Sequence, residues 1–284
     1  MSEGIAYVAN GHRTLLKWHR GRRQGRDLAF TGERIVQGMA LGASVEVDLR
    51  KHASGGFAVL HDATLDRETT GSGPVALASA ETLRTLFLRD GTGAPTSHPL
   101  MLLEDLTALL AGKPIAEGAR LQLDLKENSA ILTEADLRAF AMALRPLARH
   151  FILSGSDAEA VDRLSRGLPA LQIGYDPCSD KAMAAIEAGK DFARFVRDAL
   201  DASPSASTIY LEHRLVLFAD QHGFDLIGAF HQGGRHIDAY TLRTAEPDDV
   251  AIARRLIALK VDQITTDDPI GLEIRLHESP AKPA

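Results

Sequence analysis

Four short stretches carry side chains able to do chemistry together: WHRG (18–21), SVEVDL (44–49), the dipeptide His61-Asp62, and LQLDLK (121–126). Side chains alternate along an extended chain, so Glu46 and Asp48 share one face of their strand while Val45, Val47 and Leu49 take the other. The same alternation sets Gln122, Asp124 and Lys126 opposite Leu121, Leu123 and Leu125. An isolated edge strand facing water gives this pattern too. If helices cover the apolar faces, however, the carboxylates point inward, toward the carboxyl mouth of a barrel. Buried carboxylates must be compensated, so Glu46, Asp48 and Asp124 are expected to share a cation, with Lys126 as a partial partner. Oxygen donors without cysteine suit a hard ion, Mg²⁺ or Ca²⁺.

His19 ends the first extended piece and His61-Asp62 comes at the end of a later one, so both can reach the same mouth. Imidazole holds or releases a proton near neutrality, which suits the pair to general acid and base work. The planar fork of Arg20 and the point charge of Lys126 fit phosphate oxygens. The set matches cleavage of a phosphate ester. Cations neutralise the equatorial oxygens, one imidazole moves a proton from the attacking group, and the other gives one to the leaving oxygen.

Positioning these residues needs strands separated by covering helices. Eight candidate strands occur, at 15–20, 44–49, 121–126, 151–154, 171–175, 208–211, 237–242 and 263–266. Apolar residues three or four apart mark helices at 28–41, 102–110, 134–147, 158–164, 180–188, 191–200 and 248–259, and one or two more are expected within 215–234. Alternating strand and helix with eight strands predicts an α/β fold, a (β/α)8 TIM barrel. Gly42, Gly167 and Gly189 fall where helices end in a left-handed residue. Residues 57–61 read as a further extended piece. The Gly-, Thr-, Ser- and Pro-rich stretch that follows, about 64–100, is expected to be a small insertion or lid after the second strand. No linker divides 1–284, and only the tail from about 277 reads as loose.

The chain of 284 residues, 45% apolar and 25% charged, can bury a large core. A net charge of -6 without a Lys/Arg block gives no grip on nucleic acid or anionic membrane. The single cysteine, Cys178, rules out an intramolecular disulfide and reads as a packing residue. No run approaches a membrane span or a signal peptide, so a cytoplasmic location is expected. Nothing in the sequence fixes the oligomeric state.

The ordered set HR at 19–20, E-x-D at 46–48 and HD at 61–62 resembles the signature of the glycerophosphodiester phosphodiesterase family. The resemblance extends to HDATLDRETTGSGPV (61–75), LQLDLK, DAYTLRT (238–244) and VDQITTDDP (261–269). It implies a (β/α)8 barrel with an insertion after its second strand, and divalent-metal-dependent hydrolysis of a small-molecule phosphodiester to an alcohol and a phosphomonoester. Carried over, Glu46, Asp48 and Asp124 would hold the metal, His19 and His61 would do the acid and base work, and Arg20 and Lys126 would grip the phosphate. Tyr240, in place of the family's usual tryptophan, would line the leaving-group pocket.

Three departures bear on the substrate. The family's usual P-E-N-T is replaced by the arginine-rich GRRQGRDLAFTGE (21–33), Asp124 is one methylene shorter than the commoner glutamate, and Tyr240 offers a hydroxyl. They open the alternatives of a sugar phosphodiester of the opine (agrocinopine-like) type or a lysophospholipid. An alternative of another class is a non-catalytic binding protein on the same barrel. Glu212 and His213 read as a solvated loop pair, and Asp267 and Asp268 as turn or capping residues.

Overall fold

A computed structural model of the chain describes residues 2–278; the part of the expected loose tail beyond Glu278 lies outside the described residues. Strands β1 (Ala6–Ala9) and β2 (His12–Trp18) form an antiparallel hairpin, followed by β3 (Ser44–Lys51) and a short β4 (Phe57–Val59) antiparallel to it. After a separate hairpin of β5 (Phe87–Arg89) and β6 (Pro95–Pro99) come β7 (Arg120–Leu125), β8 (Phe151–Gly155), β9 (Gln172–Tyr175), β10 (Thr208–Glu212), β11 (His236–Leu242) and β12 (Gln263–Thr266). Strands β2, β3 and β7 to β12 pair in parallel in that order, and β12 pairs back onto β2, which closes the barrel. Closure is uneven: β2 and β3 meet at one position, Trp18 beside Val45, whereas β3 and β7 run in register from Ser44 to Leu49.

The covering helices are α1 (Gly32–Leu41), α2 (Ala80–Arg84), α3 (Leu103–Ala111), α4 (Glu134–Leu144), α5 (Ala158–Ser165), α6 (Asp180–Gly189), α7 (Phe192–Ala202), α8 (His213–Gln221), α9 (Leu226–Gln232), α10 (Pro247–Ala258) and α11 (Pro269–His277). Their starts are written in the chain. Thr133, Asp157, Ser179, Asp191 and Asp225 each accept a hydrogen bond from a backbone N–H of the first turn. The outward strand residues Val45, Val47, Leu121 and Leu123 are fully buried beneath the helices. Each such side chain contributes about 1.5–3 kcal/mol.

All eight expected barrel strands are present, the last with the expected bounds and the others with ends shifted by one to three residues. The first stops at Trp18 because Arg20 and Gly21 both turn left-handed, at φ 55 and 73. The first helix starts at Gly32 rather than 28, since Phe30 also sits at φ 61. The helix expected to reach 147 ends at Leu144 and gives way to a short 3₁₀ turn. Gly42 takes the left-handed cap of α1, but Lys190, not Gly189, takes that of α6. Strand β1 and helix α11 were missed, although α11 carries a start signal: Asp268 caps it and Pro269 opens it.

Residues between β4 and α3 hold α2 and the β5–β6 hairpin, and Leu65, Val75, Leu83 and Leu88 bury them in the same apolar cluster as β3 and β7. The barrel interior is polar. Lys17 is buried with its ammonium 2.7 Å from the Asp238 carboxylate, bonded to Gln122 and stacked over Tyr210.

Candidate active site

The left-handed pair after β2 bends the chain sharply, and Gly21 supplies the second of these residues without a Cβ penalty. Trp18 faces outward and donates its indole N–H to the Gly4 carbonyl at 2.7 Å, while His19 and Arg20 turn to the mouth. The Arg20 amide donates to Glu46 Oε2 at 2.8 Å, and its guanidinium lies 3.2 Å from Asp48 and 3.7 Å from Glu68.

Register places Asp48 directly beside Asp124 on the neighbouring strand. Oxygen atoms of Glu46, Asp48 and Asp124 converge within 4.8 Å of one another. Lys126 Nζ is 2.9 Å from Asp48 and also bonds Asp124, whose other oxygen accepts from Ser154 at 3.0 Å. Burial, then Asp48 and Asp124, push the Glu46 carboxyl well above its usual range. Burial also works against charge on Asp48, but Lys126 and Arg20 outweigh it and hold that carboxyl low. Lys126 stays charged because Asp124, Asp48 and Glu46 overcome its burial.

Three carboxylates thus face two cations, one of which also serves Glu68. Asp48 Oδ2 is buried and meets Arg20 Nε as an ion pair without a well-aligned hydrogen bond. An all-oxygen donor set with surplus negative charge and an oxygen lacking a well-aligned hydrogen bond fits a hard divalent cation. A second carboxylate and imidazole group, His61 with Asp62 and Glu68, is engaged otherwise. Arg67 forks onto Asp62, and Glu68 accepts the amides of His61 and Asp62.

Both histidines are tied at Nδ1 to a carboxylate, His19 to Asp267 at 2.6 Å and His61 to Asp62 at 2.9 Å. That bond fixes the ring and leaves Nε2 as the atom facing the chemistry. Burial lowers the His19 pKa, with Asp267 acting against it. Arg67 holds Asp62 down at about 2. Arg50 donates to the carbonyls of both His61, at 2.7 Å, and Lys126, at 3.0 Å, clamping the two loops together.

Across the mouth, the Tyr240 hydroxyl donates to Asp176 Oδ2 at 2.8 Å. Burial raises Asp176 to about 6 and pushes the Tyr240 phenol up further. The two histidines, Arg20, the three carboxylates, Lys126, Asp176 and Tyr240 bound one cavity of about 450 Å³ at the carboxyl ends of the strands.

A family model described as the glycerophosphoryl diester phosphodiesterase family matches residues 31–270. The chain belongs to that family. It is therefore a glycerophosphodiester phosphodiesterase, a phosphoric diester hydrolase on a (β/α)8 barrel. A Silicibacter pomeroyi protein assigned to the same activity matches at 21% identity over 93% of each chain, with a TM-score of 0.70. The glycerophosphodiester phosphodiesterase of Agrobacterium tumefaciens is also 21% identical, over 93% of this chain and 100% of its own, with a TM-score of 0.63. An Oleispira antarctica phosphodiesterase in complex with the product sn-glycerol-3-phosphate is 17% identical, over 93% and 96%, with a TM-score of 0.65. No curated protein sequence matches. Among the described residues no helix is long and apolar enough to cross a membrane.

In this phosphodiesterase all eight residues singled out from the sequence (His19, Arg20, Glu46, Asp48, His61, Asp124, Lys126 and Tyr240) line the one cavity. Two readings are corrected. Glu212 and His213 are not a solvated pair: they end β10 and begin α8 in the cavity wall, where His213 meets the Tyr240 carbonyl at 3.0 Å. Asp268 caps a helix as expected, but Asp267 instead grips His19 and Arg22. Asp176 and Arg50 were missed. Asp176 closely follows a strand at the carboxyl mouth, which was the available signal.

Proposed function

We propose that this phosphodiesterase is metal-dependent and cleaves a glycerophosphodiester or related sugar phosphodiester by proton exchange between His19 and His61. Glu46, Asp48 and Asp124 would hold one Mg²⁺ or Ca²⁺. When bound, the ion supplies positive charge against the nonbridging phosphate oxygens. Arg20 and Lys126 bind those oxygens from the protein side. Burial keeps the His19 imidazole unprotonated at neutral pH, so Nε2 takes the proton from the attacking hydroxyl or water, and Asp267 steadies the resulting cation. His61, oriented by Asp62, gives a proton to the leaving oxygen. The carrying observation is the pair of imidazoles, each fixed at Nδ1, above three carboxylates opposed by Arg20 and Lys126.

The leaving group would lie against Tyr240 and Asp176, a phenol and a carboxyl whose polarity favours a polyol or sugar. The residues lining the cavity include no Leu, Ile, Val, Met or Phe, so an acyl chain has no wall to lie on, which disfavours a lysophospholipid. The test is a panel of glycerophosphodiesters and sugar phosphodiesters assayed for phosphomonoester release. Release that stops with chelator and returns with Mg²⁺ or Ca²⁺ is expected; undiminished release in chelator rejects the metal role.

A further inference from the structure

The arginine-rich run that replaces P-E-N-T builds a second cavity, of about 390 Å³, between itself and the β5–β6 turn of the insertion. Arg20 lines both this cavity and the catalytic one, so the two meet at the residue assigned to the scissile phosphate. Its wall carries five arginines: Arg20, Arg22, Arg26, Arg67 and Arg89. Only three carboxylates, Asp27, Glu68 and Asp90, face them. Each of these is engaged. Asp27 accepts two backbone amides and pairs with Arg34 at 3.1 Å, Glu68 lies between Arg20 and Arg67, and Asp90 closes its own turn through Thr92 and Ala94.

Two guanidiniums are left over. Arg89 bonds only the carbonyls of Thr69 and Gly93 and meets no carboxylate. Arg26 is exposed and has no hydrogen-bond or ion-pair partner among the described residues. Uncompensated guanidinium forks in a concave site are built to take an oxyanion. We propose that this cavity is a substrate subsite for a second anionic group, a phosphate or carboxylate on the sugar or polyol, so that the preferred substrate is a phosphodiester bearing an extra negative charge. The inference rests on the scissile phosphate sitting at Arg20, as in the reading above. The volume fits a sugar-sized fragment, and both walls of the cavity come from segments set apart at the sequence level.

Binding and turnover test it separately. Calorimetry compares glucose 6-phosphate with glucose 1,6-bisphosphate on wild type, Arg26→Ala and Arg26→Glu; the exposed position leaves folding intact, checked by circular dichroism. The bisphosphate is expected to bind wild type at least tenfold tighter than the monophosphate, with the ratio falling in Arg26→Ala and vanishing in Arg26→Glu. Turnover compares a glucose diester of glycerol phosphate with and without a 6-phosphate, and the kcat/KM ratio should follow the same order. If the simple diester is cleaved yet neither ratio exceeds twofold, or Arg26→Glu leaves the ratios intact, the subsite is overturned. If no diester is cleaved but the binding ratio and its loss persist, the reading of the catalytic cavity fails and the anion site stands.

Discussion

At Asp176 burial dominates the titration: with Asp124 it outweighs the Cys178 amide, the Tyr240 hydroxyl and Lys126. With burial raising its carboxyl from the usual 3.8 to about 6, the folded protein holds that proton more tightly than the unfolded chain does. The stabilisation is complete below the unfolded value and is lost as pH rises through 6. Asp176→Asn removes the dependence, so its stability relative to wild type should grow between pH 4 and 7 by about 2 kcal/mol, read by denaturant unfolding at each pH. A gap constant with pH would contradict the raised value. At the proposed acid and base pair, His19→Ala and His61→Ala are each expected to lower kcat by about 10²–10⁴-fold with unchanged melting; near wild-type turnover in either would sink its role. Glu46, Asp48 and Asp124 were legible as cavity-lining residues because carboxylates are unusual at inward strand positions. Asp267 was not, since its partner His19 lies 248 residues away and the local TTDDP sequence speaks only of a turn.

Among the elements, β3 and β7 were read most fully. Strict apolar and polar alternation fixed which faces carry Glu46, Asp48 and Asp124, and the pairing register then set Asp48 beside Asp124. Alternation does not reveal where a strand ends. The turn after β2 depends on two consecutive left-handed residues, only one of them a glycine. Gly21→Ala would put a Cβ 3.0 Å from the Ile35 side chain at φ 73 and is expected to cost about 1–2 kcal/mol, seen as a lower Tm. Arg50→Met frees the His61 and Lys126 loops from their shared clamp. It should lower kcat while the far-UV spectrum stays unchanged, and full activity would show that the clamp is dispensable.

For the molecule as a whole, the count of eight strands was legible from alternation, because each inner strand is short, apolar on one face and set apart by a helix. The polar interior was less so. Lys17 and Asp238 come from opposite ends of the chain, and their pairing appears only once the barrel closes. Lys17→Met leaves Asp238 buried beside Gln263 and Thr265 without its cation and is expected to cost about 3–5 kcal/mol in chemical denaturation. Mg²⁺ or Ca²⁺ at a hundredfold excess over its dissociation constant should stabilise the fold by about 2.7 kcal/mol. An unchanged Tm across a metal titration would refute binding to the folded state.

The thin join between β2 and β3, one residue pair wide, falls directly before His19 and Arg20 in the cavity wall. At the mouth this gap is bridged by Glu46, which accepts from the Arg20 amide, and by the Arg20 guanidinium beside Asp48. The barrel therefore has a built-in zip whose slider is the candidate site itself. Amides flanking this join should exchange with deuterium faster than those between β3 and β7, and an anion held by Arg20 should slow them selectively. Occupancy would then be written into the breathing of the scaffold, readable without any turnover.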